Sequence, residues 1–124
     1  MLYLCTIAVC TTTMTRISTL NHLTVFVTFH IKIGQTEAWK EAHMGSSRAE
    51  PKCIYFDVFH NGNNKFRLVE VWDATKEWFE NVQLKKEYYA ALWVLSKPTW
   101  ERDMEIEYFE RLGEGMSWKQ GFWG

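Results

Sequence analysis

Two prolines, seven glycines and three cysteines among 124 residues leave little room for several classes of protein. So few prolines and glycines exclude collagen-like and linker-like chains. Cys5, Cys10 and Cys53 form no CxxC pair, and no Cys/His group has zinc spacing, so no disulfide framework and no metal site is expected. A sparse, odd cysteine count fits a reducing, cytoplasmic setting. No block of Lys and Arg occurs and the formal net charge is -1, which argues against nucleic acid or an anionic membrane as partner. Nucleotide-binding glycine loops, phosphate loops and serine elbows are missing as well. Residues 1–13 are moderately apolar, but they lack a basic leading stretch and are too short to span a bilayer.

Aromatic residues are what the chain has in excess: seven Trp, five Tyr and eight Phe, 16% of the sequence. Two uses are open. Rings fill compact cores and dimer interfaces, and they also wall pockets for flat apolar ligands.

The pattern divides the chain into an N-terminal extension at 1–22, one domain at 23–112 and a tail at 113–124, with Met14 an alternative start. Residues 23–33 are β-branched and aromatic and read as a strand. Val25, Val27, Phe29 and Ile31 alternate with Phe26, Thr28 and His30, so both faces need cover. After Gly34, a helix is expected over 35–47, with Thr36 as N-cap and Trp39, Ala42, His43 and Ser46 on one stripe. Glu50-Pro51 ends it. Residues 53–60 and 66–73 read as a hairpin around Asn61-Gly62-Asn63-Asn64. Phe66, Leu68, Glu70 and Trp72 share one face of its second strand. A second helix capped by Asp73 or Thr75 runs to about Val82, a third covers 87–96, and a last strand covers 104–112. The order β-α-β-β-α-α-β is the split βαβ pattern of ferredoxin-like α+β domains with a four-stranded antiparallel sheet.

The stretch Glu50-Pro51-Lys52-Cys53 leading into a strand, and Val69-Glu70-Val71-Trp72-Asp73 closing the hairpin, resemble the antibiotic biosynthesis monooxygenase family. Glu77-Trp78-Phe79, Val82-Gln83 and Tyr88-Tyr89 look most like its fungal members. The resemblance implies a dimeric αβ barrel, in which two sheets pack face to face as a homodimer. It also implies an enzyme of secondary metabolism that oxidises phenolic, polyketide-like small molecules with O2 and no cofactor. In the best-described members an asparagine stands four residues before the hairpin tryptophan and a tyrosine six after it. Here those positions hold Leu68 and Trp78.

Such chemistry needs a base, a donor for the resulting oxyanion and flat apolar walls. His30 and His43 are candidate bases, with His43 expected to face His30 across the pocket. Glu70 is a second acid/base group, or else pairs with Lys65 or Arg67. Trp72 is expected at the site or as a structural ring at the sheet end. Trp39, Phe26, Phe56, Leu68, Trp78, Tyr89, Leu92 and Trp93 are the expected substrate-binding walls, with Tyr89 rather than Tyr88 reaching inward. His22 and His60 are expected in solvent. A cyclase, isomerase or dehydratase on the same scaffold, or a non-catalytic ligand-binding dimer, are the alternatives.

Overall fold

The structure, a computed structural model, describes residues 22–45 and 49–112. The expected N-terminal extension up to Asn21 and the tail from Gly113, like Ser46 on the first helix, lie outside the described residues.

Strand β1 (His22–His30) is central and pairs antiparallel with β3 (Lys65–Asp73) and β4 (Glu105–Glu110), while β2 (Cys53–His60) flanks β3. The order is β2-β3-β1-β4, the ferredoxin-like α+β arrangement. Alternation decides which side chains meet the helices. Leu23, Val25, Val27 and Phe29 of β1 and Phe66, Leu68 and Trp72 of β3 are all buried in the core. Burying each such side chain is worth about 1.5–3 kcal/mol, so this face holds the domain together.

The helices α1 (Thr36–Gly45), α2 (Lys76–Asn81) and α3 (Tyr88–Ser96) cover that face. Short 3-10 turns at Gln83–Lys85 and Lys97–Thr99 lead into and out of α3. Among the described residues no helix is long and apolar enough to cross a membrane.

Local chemistry sets the boundaries. Thr75, not Asp73, caps α2, its hydroxyl accepting from Trp78 N at 3.0 Å. Thr36 does not cap α1 with its side chain; its hydroxyl donates to Asn64 Oδ1 at 2.8 Å and ties the helix to the hairpin turn. That turn needs positive φ at Gly62 (79°) and Asn64 (61°), which glycine and asparagine adopt most readily. β1 stops at His30 because Ile31 leaves the ladder and makes a single bridge to Trp100. A register shift between Cys53 and Tyr55 kinks the start of β2.

Candidate active site

Between the sheet and the helices lies a cavity of about 770 Å³. Strands β1 and β3 give it Val27, Phe29, Phe66, Leu68, Glu70 and Trp72. Phe56, Val58 and His60 from β2 line it too, and the helices add Trp39, His43, Phe79, Tyr88, Tyr89, Leu92 and Trp93. Flat rings make up a large share of the walls, so the space suits a planar apolar ligand.

Glu70 is the acidic group on the sheet side. Its residue is only 6% exposed, and its Oε1 accepts a 2.8 Å hydrogen bond from Trp72 Nε1 two residues along the same strand face. Burial pushes the carboxyl up to about 7, although the indole bond works in the opposite direction. Glu70 therefore exchanges a proton near neutral pH. Neither Lys65 nor Arg67 partners it; Arg67 Nε donates to Thr28 Oγ1 on the opposite face of the sheet, at 3.0 Å.

His43 occupies the helical side. Its ring packs on Trp39 (4.4 Å between centroids) and edge-on to Phe29 (5.0 Å). Its Nε2 lies 2.8 Å from Ser96 Oγ, which also accepts from Trp100 Nε1 at 2.8 Å. Burial among these rings lowers the imidazole to about 4, so it is neutral at pH 7. The better base of the two near neutrality is thus Glu70, whereas sequence reasoning puts a histidine first.

A second polar group comes from residues distant in sequence. Glu50 accepts from Lys86 Nζ and from the Tyr88 hydroxyl, each at 2.6 Å. Burial raises the Glu50 carboxyl, but these bonds outweigh it and hold the group below its ordinary value. Gln83 Nε2 donates to Tyr88 and Tyr89 at 2.7 and 3.2 Å. Burial raises the Tyr89 phenol above its usual range, so Tyr89 stays protonated. Cys53 is pushed up to about 11 by burial and by nearby Glu70, which leaves a neutral thiol and a poor nucleophile.

Trp39 is 2% exposed, and its Nε1 has no hydrogen-bond partner among the described residues. An unpaired buried donor costs about 1–3 kcal/mol.

Of the expected site residues, His43, Glu70, Trp72, Trp39, Phe56, Leu68, Tyr89, Leu92 and Trp93 all line the cavity. His30 and Phe26 do not, because alternation turns them to the opposite face of the sheet. There His30 lies 3.1 Å from Arg102 Nη2 and 3.6 Å from Glu105, and Phe26 packs edge-on to Phe109. Trp78 stays off the wall, packed against the core behind Trp72 under the Lys52 ammonium. Tyr88 reaches the cavity together with Tyr89, their rings stacked at 4.7 Å. His22 is buried beside Arg111, while His60 is exposed as expected but stands at the cavity. Sequence reasoning missed Glu50, Lys86 and Gln83 as a unit; Glu50-Pro51 drew notice as a helix stop and as part of a family resemblance, not as a polar group of the site. Among the described residues no three His, Cys, Asp or Glu side chains cluster as metal ligands would.

The fold and cavity define a class: an α+β ferredoxin-like domain with an aromatic pocket between sheet and helices. Comparisons with known proteins fill in the rest. A curated protein of Pestalotiopsis microspora, named as a putative monooxygenase, is 33% identical over 72 residues, covering 56% of this chain and 59% of that protein. The chain thus matches somewhat over half the length of this relative. A Caulobacter crescentus structure named as a putative antibiotic biosynthesis monooxygenase matches with a TM-score of 0.66 at 14% identity, over 78% of this chain and 95% of that one. One of the same description from Nitrosomonas europaea gives 0.63 at 21%, over 76% and 93%. A conserved protein from Methanosarcina mazei gives 0.68 at 13%, over 79% and 99%. At these identities the structures speak for the fold alone. No protein-family model matches the chain. What the chain shares with the relative is sequence similarity to a protein named as a putative monooxygenase, and what it shares with the named structures is the fold.

Proposed function

We propose that the protein is a cofactor-independent oxygenase of a flat aromatic, polyketide-like secondary metabolite. The observation that carries this reading is Glu70: a carboxyl 6% exposed, raised to about 7, on the wall of an aromatic cavity. A carboxylate of that basicity takes a proton from an activated C–H or phenol near neutral pH. The electron pair left on the substrate is the reductant. It passes to O2, a C–O bond forms, and the resulting peroxide loses water to leave a carbonyl. One O2 is consumed, with one oxygen atom in the product and one in water. Trp72 orients the base through its indole N–H. His43, neutral between Trp39 and Phe29, hydrogen-bonds to substrate without adding charge. Leu68, Phe56, Tyr89, Leu92 and Trp93 hold the flat rings.

The active unit in this reading is a cytoplasmic homodimer. Its support is the sheet face away from the helices, where Phe59 and Phe109 are 50% and 53% exposed and apolar groups are costly to leave wet.

Oxygen uptake with dithranol in metal-free buffer tests the proposal. One O2 per dithranol is expected. Unchanged turnover under argon, with no uptake in air, would sink it in favour of a cyclase, isomerase or dehydratase that uses the same base. That second reading draws on Leu68, which is buried and apolar where the resemblance sets an asparagine. A purely packing role for the aromatics fits poorly with a cavity of about 770 Å³.

A further inference from the structure

Ser96 is fully buried between two rings. Its Oγ lies 2.8 Å from Trp100 Nε1 and 2.8 Å from His43 Nε2, and these are its polar neighbours among the described residues. An indole N–H only donates, so the contact with Trp100 takes a lone pair of Oγ and leaves the hydroxyl proton to be placed. A buried polar hydrogen nearly always has an acceptor. His43 Nε2 is the acceptor within reach, and the neutral imidazole offers one bare nitrogen.

The hydrogen bond at one ring nitrogen sets the state of the other. With Nε2 accepting from Ser96, the proton of the neutral ring sits on Nδ1. Nδ1 has no partner among the described residues, yet unlike Trp39 Nε1 it is not a sealed atom. It belongs to a ring on the cavity wall, held by Trp39 at 4.4 Å and Phe29 at 5.0 Å.

We propose that Ser96 is a positioning residue that fixes His43 in its Nδ1–H form, and that His43 thereby selects flat ligands with an acceptor atom on the edge facing α1. This rests on the reading of the cavity as the substrate site and deepens it, without drawing on the oxygen chemistry. A ligand with an N–H at that edge would set donor against donor and is refused. The opposite tautomer would present a lone pair there and invert the preference.

Long-range proton–nitrogen correlation spectra of the full chain, labelled in histidine, read the tautomer directly at about pH 7.5, with His43→Gln identifying the signals. A protonated Nδ1 and a bare Nε2 are expected. Ser96→Ala should give a mixture of the two forms. The ligand probes are phenazine, whose ring nitrogens only accept, and anthracene, which has the same shape without them. The preference for phenazine over anthracene should fall about tenfold from wild type to Ser96→Ala. A wild-type His43 with its proton on Nε2 overturns the inference, whatever the variant does, and leaves the oxygenase reading intact. An unchanged tautomer or an unchanged preference in Ser96→Ala does the same. A wild-type protein that binds neither probe takes the oxygenase reading down with it.

Discussion

On the helix side of the sheet, Val25, Val27 and Phe29 are 0–6% exposed, and the residues around them still enclose a cavity. On the other side, Phe59 and Phe109 are half exposed, and the apolar end at Phe26, Val69, Val71 and Phe109 gives way to a charged end at Arg67, His30 and Glu105. One face is a largely buried interior, open to solvent along β2, where titration is displaced: Glu70 upward and His43 downward. The other has the composition of an interface, apolar with a polar rim. Strand alternation separates the two faces with no extra element, so a single substitution can strike one and spare the other.

Four experiments sharpen or break that division. The largest effect is expected from Glu70→Gln, which keeps shape and the acceptor for Trp72 but cannot take a proton. Turnover of dithranol should fall on the order of 10²–10⁴-fold with an unchanged circular dichroism spectrum; a loss below tenfold would remove Glu70 as base. Phe29→Ala should cost about 3–5 kcal/mol in urea unfolding, since Phe29 is 1% exposed; a cost under 1 kcal/mol would mean that the helix face does not carry the fold.

Stability against pH comes third. Glu70 binds its proton more tightly folded than unfolded, so its contribution is full below 4.5 and declines as pH rises to about 7. His43 binds its proton less tightly when folded, so its contribution is full above 6.5 and declines as pH falls toward about 4. Glu70→Gln should therefore stabilise the protein at pH 8 relative to pH 4.5 by about 3 kcal/mol, while His43→Gln should relieve acid destabilisation. Equal effects of Glu70→Gln at both pH values would show an ordinary carboxyl. Smallest is Phe109→Ser on the outer face. It should weaken self-association about tenfold in sedimentation and leave catalysis per folded chain unchanged; an unfolded product would make that face part of the core.

The alternation of β1 and β3, the Asn-Gly turn and the stripe from Trp39 to His43 were all legible in the sequence, because period and turn chemistry are local. The ferredoxin-like order followed from them. The side to which His30 points is hidden for a related reason: β1 is apolar on both faces, so neither announces itself as the helix side. Glu50, Lys86 and Tyr88 were missed because they meet across 36–38 residues, beyond any local pattern. Tyr88 and Tyr89 differ by one helical step, about 100°, but at the start of α3 their rings stack and both reach the cavity. A pKa is less legible still, since it depends on what surrounds a group: nothing in Val69-Glu70-Val71 separates a buried carboxyl from a solvated one.

The tie between Trp72 and Glu70 has a stereochemical consequence. With Oε1 engaged by the indole, Oε2 is left as the seat for an incoming hydrogen, and it is fixed relative to the ring walls. A methylene held between those walls would surrender only one of its two enantiotopic hydrogens in the first step. Both hydrogens leave by the time the carbonyl forms, so the choice would show in the rate of that step: deuterium on the side facing Oε2 would slow proton removal, and deuterium on the other side would not.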